Sequence, residues 1–138
     1  MIPMTDFSLT AAAAANKQND LKDWVIAYLS GPGNNPALAQ IVSDTASRRI
    51  TLQQMSLADM TRICGPEKNM KFTEDTELWE HRVADLRQAL SNETDLPPLI
   101  VTNFWGTWQI SDGAHRHEAL LRSGFTKYWT IILERNLA

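Results

Sequence analysis

The sequence predicts an α+β domain in which a small mixed sheet is flanked by helices. Helical periodicity dominates the first third of the chain, whereas most strand-like runs come after residue 98. The 138 residues suit one domain, and no internal repeat or low-complexity linker divides them. We therefore expect an N-terminal helical segment over residues 1–46, packed on a domain that spans residues 47–138.

The first third of the chain contains three helical stretches. The alanine run 11–15 is a strong helix former. A second helix ends where the run 30–33, Ser-Gly-Pro-Gly, breaks its periodicity. Asn35 then suits the N-cap of a third helix, and Pro36 suits its first position. The apolar residues at helical spacing in the second and third helices are Leu21, Trp24, Val25, Tyr28, Leu29, Leu38, Ile41 and Val42.

The next segment mixes strand, turn and loop signals. Residues 49–55 alternate apolar and polar side chains, as a strand does. Ser56, with Asp59 three residues later, predicts a brief helix through residues 60–63. Residues 65–75 carry charges and few apolar anchors, so we expect a mobile loop there.

The last elements are a clear helix and a cluster of strands. An apolar stripe at helical spacing predicts a helix over residues 76–90. After a connection rich in turn residues, the run 99–101 indicates a buried strand. Residues 104–107 then supply a hairpin turn, residues 107–111 the returning strand and residues 128–133 a last strand.

Composition excludes several classes of protein. Hydrophobic residues make up 43% of the chain and charged residues 21%, as in ordinary globular proteins. A net charge of −3 disfavours broad, sequence-independent DNA binding, which needs many cationic contacts. The single cysteine, Cys64, cannot form an internal disulfide, and no apolar stretch approaches the length of a membrane span. We therefore expect a cytoplasmic protein that does not enter a membrane.

The stretch Ser111–Ala119 carries the chemistry that packing explains least. A strand ends at Asp112 and Gly113, and a helix begins at once. Asp112 is suited to cap this helix, and Gly113 to adopt a positive φ angle. His115 and Arg116 fall in the first helical turn, where positive side chains are unfavourable unless an anion compensates them. Free backbone N–H groups, the helix dipole and these two side chains together predict a phosphate-binding turn.

Other titratable residues near this turn or elsewhere have simpler interpretations. His115 and His117 stand two positions apart on a helix, so their side chains do not converge on a metal ion. Glu118 could orient the His115 imidazole, but a solvated surface position is the simpler interpretation. Cys64 could act as a nucleophile, yet no arginine, lysine or histidine spacing marks it as activated, which favours a buried thiol.

The motif Asp-Gly-Ala-His-Arg at residues 112–116, with the strand before it and Gly124-Phe125 after it, resembles the ParB/sulfiredoxin superfamily. Members carry an Asp-Gly-x-His-Arg-like signature. The resemblance covers about residues 50–135 and is most specific over residues 111–125. It implies a ParB/sulfiredoxin-like fold in which nucleotide phosphates bind at Gly113, Ala114, His115 and Arg116.

Departures from the superfamily pattern narrow the activity that the resemblance implies. Sulfiredoxins place their catalytic cysteine at the position of Ala114, so sulfinic acid reduction is not expected. Partition-type ParB proteins continue into a helix-turn-helix reader, which we do not expect in a chain that stops at Ala138. The motif is closer to the branch that resembles free serine kinases and small ParB-like nuclease proteins. A lysine on the preceding helix faces the nucleotide in sulfiredoxin-like members, and Arg82 occupies the matching position, although a solvated surface arginine is an equally good explanation.

These observations favour a nucleotide-binding enzyme that transfers or hydrolyses a phosphoryl group. The backbone N–H groups of residues 113–116 would hold the terminal phosphates, and Arg116 would neutralise the developing charge. His115 would donate a hydrogen bond or a proton, and Asp112 would hold Mg²⁺ or act as a base. The expected ligands are a nucleoside triphosphate or diphosphate and Mg²⁺.

The alternative is a nucleic-acid-binding or nuclease-type module without nucleotide turnover. Trp105 and Trp108 flank the hairpin tip and could stack on bases, although burial is the better interpretation of both. A group of cations would contact the backbone phosphates. These cations are Arg116, Arg122, Lys127 and Arg135. A partner-regulated protein and a dimer also stay open.

Overall fold

The computed structural model describes residues 6–134. The helices in this part of the chain are α1 (Leu9–Lys17), α2 (Leu21–Ser30), α3 (Pro36–Ser43), α4 (Thr76–Ser91) and α5 (Ala114–Arg122). The strands are β1 (Ile50–Ser56), β2 (Met60–Thr61), β3 (Cys64–Gly65), β4 (Phe72–Thr73), β5 (Leu99–Phe104), β6 (Thr107–Asp112) and β7 (Lys127–Glu134). No helix among residues 6–134 is long and apolar enough to cross a membrane.

Five strands form one mixed sheet in the order β1-β7-β5-β6-β2. Strand β7 pairs parallel with β5 and antiparallel with β1, and β6 pairs antiparallel with β5 and parallel with β2. The parallel β5 and β7 are connected through α5, while the hairpin at residues 104–107 connects β5 to β6. The predicted α+β class with a small mixed sheet is therefore confirmed.

The N-terminal helices share a hydrophobic core with one face of the sheet. Trp24 and Leu29 of α2 are fully buried against a cluster that includes Ile131 and Leu133 of β7. The predicted start of α3 is confirmed, because the Asn35 side chain accepts a hydrogen bond from the Leu38 N–H at 3.2 Å. Burial of this apolar surface holds the N-terminal segment on the rest of the molecule.

Helices α4 and α5 pack against each other and cover the other face of the sheet. Trp79 and Val83 of α4 contact Ala119 of α5 in a buried cluster. Leu120 of α5 packs among the inward-facing side chains of the sheet, such as Val101. This packing fixes the start of α5 at the end of β6, where the predicted phosphate-binding turn lies.

The brief helix predicted through residues 60–63 is wrong. The chain forms a short 3-10 turn over residues 57–59 and then enters β2, in which Met60 pairs with Trp108. Leu57 and Met60 are both buried, so their three-residue spacing imitates one helical face. The predicted loop over residues 65–75 contains part of a short parallel strand pair, because β3 ends at Gly65 and β4 spans Phe72–Thr73.

Candidate phosphate-binding site

The turn from β6 into α5 has the backbone geometry that the sequence predicts. Gly113 has a φ angle of 103°, and the His117 N–H donates to its carbonyl at 2.8 Å as α5 begins. A Cβ atom at this position would lie 2.8 Å from Arg116 Nη2 and 2.9 Å from Leu99 Cδ2. Only glycine fits such a position without strain. No side chain caps the helix, so Asp112 does not have the predicted capping role.

A cavity of about 280 Å³ opens in front of this turn. The start of α5 forms one wall, and side chains from four other parts of the chain form the rest. The lining residues are Asn35, Ile63, Cys64, Phe72, Ile110, Ser111, Asp112, Gly113, Ala114 and His115. The structure thus brings four of the predicted site residues, Asp112 to His115, to one cavity.

The imidazole of His115 is held on two sides. Its Nε2 atom lies 2.9 Å and 3.1 Å from the two carboxylate oxygens of Glu74. Its ring lies 4.7 Å from the ring centre of the buried Trp79. Glu74, rather than the Glu118 considered from the sequence, therefore orients this histidine. Glu118 instead forms ion pairs with Arg122 and Arg62.

Glu74 also accepts a hydrogen bond from the thiol of Cys64, with Sγ 3.0 Å from Oε2. Burial opposes ionisation of the Glu74 carboxyl, yet the hydrogen bonds from Cys64 and His115 outweigh it and hold its pKa below the usual value. Burial, followed by the hydrogen bond and charge of Glu74, raises the pKa of Cys64 to about 11. The thiol is consequently protonated at neutral pH, which disfavours an activated nucleophile, although Cys64 is only partly buried rather than buried as predicted.

The guanidinium of Arg116 lies behind the turn and does not line the cavity. It donates to Tyr28 Oη at 3.0 Å, to the Pro98 carbonyl at 3.0 Å and to Asp112 Oδ2 at 3.3 Å. Only 12% of the side chain is exposed. Carboxylates of the chain itself therefore contact both basic side chains in the first turn of α5: Asp112 contacts Arg116, and Glu74 contacts His115. From the sequence alone, a bound anion is expected to face these side chains.

Arg82 forms no ion pair with a carboxylate among residues 6–134. It is exposed on α4 and does not line the cavity. Its positive charge acts on Glu74 and Cys64 in the direction that lowers the pKa of each, although burial and Glu74 raise the pKa of Cys64 overall. The nucleotide-binding role that the superfamily resemblance implies for Arg82 stays a prediction.

His117 does not contribute to the cavity. The residue is buried, and its Nε2 atom lies 2.8 Å from the Leu57 carbonyl, while burial lowers its pKa. His115 and His117 therefore point to different surroundings, as the sequence predicts. Among residues 6–134, no group of three or more His, Cys, Asp and Glu side chains is placed to hold a metal ion. A Mg²⁺ ion at Asp112 would thus depend on oxygen atoms of the ligand and of water.

The tryptophans separate into buried and exposed groups. Trp24 and Trp79 are fully buried, whereas Trp105 at the hairpin tip is 76% exposed. Strand β6 runs from this tip to Asp112, so the tip is roughly 17 Å from the turn. Of the cations proposed to contact nucleic acid, Arg122 forms ion pairs with Glu80 and Glu118. Arg135 lies outside the described residues.

Sequence reasoning missed Glu74 and Tyr28. Glu74 is 41 positions from His115 and Tyr28 is 88 positions from Arg116. No local spacing links such pairs. The charges in the first turn of α5 were the available signal, because a positive side chain at that position needs a carboxylate or an anion nearby.

The fold has similar counterparts among solved structures. The chain is similar to sulfiredoxin and to ParB domains. The sulfiredoxin from Arabidopsis thaliana is 20% identical with a TM-score of 0.48, over 62% of this chain and 86% of that one. A Pnob8-like ParB-N domain is 16% identical with a TM-score of 0.44, over 62% of this chain and 30% of that one. The C-terminally truncated chromosome-partitioning protein ParB from Caulobacter crescentus, complexed with CTP-gamma-S, is 20% identical with a TM-score of 0.41.

The match to the Caulobacter crescentus ParB covers 64% of this chain and 46% of that one. This chain therefore spans less than half the length of each of the two ParB structures. No protein-family model matches the chain, and neither does any curated protein. The similarity to these structures concerns the fold alone.

Proposed function

We propose that the chain binds the phosphates of a nucleotide at the start of α5 and transfers or hydrolyses a phosphoryl group there. The observation that carries this proposal is an uncapped helix start facing a cavity. The first N–H groups of α5 have no capping side chain, and the same residues line the cavity of about 280 Å³. N–H groups and the positive end of the helix dipole are the groups that bind phosphate at helix starts.

Each residue of the cavity has a defined role in this proposal. The N–H groups of residues 113–116 bind phosphate oxygens, and Arg82 of α4 adds positive charge. His115, clamped by Glu74, donates a hydrogen bond or a proton to the phosphoryl group. Asp112 acts as a base towards an acceptor hydroxyl or binds Mg²⁺ together with the phosphates.

The size of the cavity favours a ligand that is only partly enclosed. Ligand pockets commonly measure about 300–1,000 Å³, so a cavity of about 280 Å³ holds the phosphates but not a whole nucleotide. Phe72 lines the cavity and is more than half exposed. In this proposal its ring supports the base outside the cavity, because every base has a face that stacks on an aromatic ring.

Calorimetry with ATP, ADP, CTP and GTP, each with Mg²⁺, tests the proposal. We expect binding by the wild type and an affinity about fivefold to tenfold lower for Arg82→Ala, because one charge-assisted contact is lost. Arg87→Ala is the matched control, since Arg87 is also exposed on α4 but lines a different groove. The proposal is contradicted if the wild type binds none of the four nucleotides. It is also contradicted if Arg82→Ala and Arg87→Ala lose the same amount of nucleotide affinity.

The exposed Trp105 favours one alternative function, a nucleic-acid-binding module. An exposed tryptophan at a hairpin tip can stack on bases of a single strand. Titration with a fluorescently labelled oligonucleotide at two salt concentrations separates the two functions. Binding that weakens steeply with salt and is lost in Trp105→Ala supports the module, whereas nucleotide binding at the turn should not respond to Trp105→Ala.

A further inference from the structure

The hydroxyl group of Tyr28 accepts a hydrogen bond from the guanidinium of Arg116 at 3.0 Å and also interacts with the Asp112 carboxylate, which contributes, after burial, to raising the Tyr28 pKa. Tyr28 lies on α2 and is only 4% exposed. Its ring stacks on Trp24 with centroids 5.6 Å apart and planes at 5°, and Phe7 packs against it at 5.8 Å. A Cβ atom at Gly33 would lie 2.9 Å from the ring. Phenylalanine would satisfy this apolar packing equally well, so the packing does not account for the hydroxyl.

Arg116 joins three separate parts of the chain at the turn. Its three acceptors belong to α2, to the connection before β5 and to the end of β6. The planar guanidinium fixes the directions of these bonds, and its Nε atom is buried without a partner among residues 6–134. A buried charged group depends on the bonds that it does make, so each of the three acceptors constrains where the guanidinium lies.

The position of the guanidinium matters because it touches the turn directly. The space that a Gly113 side chain would occupy is filled by Arg116 Nη2 and Cζ. Arg116 therefore supports the backbone whose N–H groups face the cavity, and it holds the Asp112 carboxylate that borders it. The N-terminal segment also contributes to the cavity directly, because Asn35 lines its wall.

We infer that Tyr28 is a positioning residue of the phosphate-binding site, and that the N-terminal helical segment completes that site through it. The inference rests on the proposed function. Tyr28 does not contact the ligand but acts through Arg116, holding the guanidinium against Gly113 so that the turn is ordered before an anion arrives. Preorganised donors bind an anion more tightly than donors that must first be ordered.

The test compares Tyr28→Phe with Tyr128→Phe in calorimetry with inorganic triphosphate. Tyr128 is a half-buried tyrosine whose hydroxyl donates to the Leu96 carbonyl at 3.0 Å, so its variant also loses one hydroxyl hydrogen bond in the protein interior. We expect Tyr28→Phe to bind triphosphate about fivefold more weakly, as expected for one lost hydrogen bond. The affinity of Tyr128→Phe should equal that of the wild type.

The Arg116→Gln background shows whether Tyr28 acts through Arg116. There, Tyr28→Phe should cause no further loss of affinity, because the side chain that it positions is absent. ¹⁵N NMR provides a second readout, in which exchange of the Arg116 guanidinium protons with water accelerates in Tyr28→Phe and not in Tyr128→Phe.

Unchanged or tighter triphosphate binding by Tyr28→Phe, with normal binding by the wild type, overturns this inference and leaves the proposed function intact. An equal further loss in the Arg116→Gln background overturns it too. A wild type that binds neither triphosphate nor any of the four nucleotides overturns the proposed function, and the inference falls with it.

Discussion

The two basic side chains at the start of α5 each contact a carboxylate of the chain. His115 contacts Glu74, and Arg116 contacts Asp112. The helix dipole makes an unpaired cation unfavourable there, so these pairs are part of what lets the turn exist without a ligand. With both contacts in place, backbone N–H groups are the main donors of the proposed site.

Burial and Glu74 together raise the pKa of the Cys64 thiol, and the contribution of Glu74 can be measured. Replacing Glu74 with Gln removes the negative charge that raises the Cys64 pKa, so the pKa should fall from about 11 and the thiolate fraction at pH 8 should rise. We expect iodoacetamide to alkylate Glu74→Gln several-fold faster than the wild type, as followed by mass spectrometry. Glu77→Gln serves as control, since Glu77 is exposed in the first turn of α4. Equal rates in all three proteins would show that Glu74 does not control the thiol.

At the scale of elements, the site depends on two short structures around α5. The pair of two-residue strands β3 and β4 brings Glu74 to His115, because the Glu74 N–H donates to the Gly65 carbonyl at 2.8 Å. The glycine turn between β6 and α5 leaves room for the Arg116 guanidinium. The strand pair places Glu74 beside His115, and the glycine turn lets Arg116 lie beside Asp112.

Alanine substitutions at two glycines separate backbone strain from steric contact in this turn. Gly113 and Gly106 have similar φ angles, 103° and 95°, but a Cβ atom at Gly106 would meet nothing within 4 Å. Gly106→Ala should therefore cost only the conformational strain, about 1 kcal/mol in the free energy of unfolding. Gly113→Ala should cost roughly 1–3 kcal/mol more, because Arg116 and Leu99 must move. Urea denaturation measures both values, and equal losses would mean that the turn tolerates displacement of Arg116.

At the scale of the whole molecule, the sequence predicts elements that have a local periodic signal. The helices α2 to α5 and the buried strand β5 fall near their predicted positions, because their apolar faces recur at regular spacing. Strands β2, β3 and β4 have two residues each and carry no period, so the sequence predicts a helix and a loop there. The contacts of Glu74 and Tyr28 arise only when the whole chain has folded, and for this reason the carboxylate and hydroxyl behind the motif were missed.

The buried His117 makes the stability of the whole domain depend on pH. Burial is the main cause that lowers its pKa in the folded state, whereas in the unfolded chain its pKa is near 6.5. As the pH falls below about 6.5, the unfolded state takes up a proton that the folded state resists, so the free energy of unfolding decreases. We expect the loss between pH 8 and pH 5.5, measured by urea denaturation, to be smaller in His117→Gln, whose amide can still donate to the Leu57 carbonyl. His81→Gln is the matched control, because His81 is exposed on α4 and pairs only with the exposed Asp85. A loss as large in His117→Gln as in the wild type would place the pH dependence in another group.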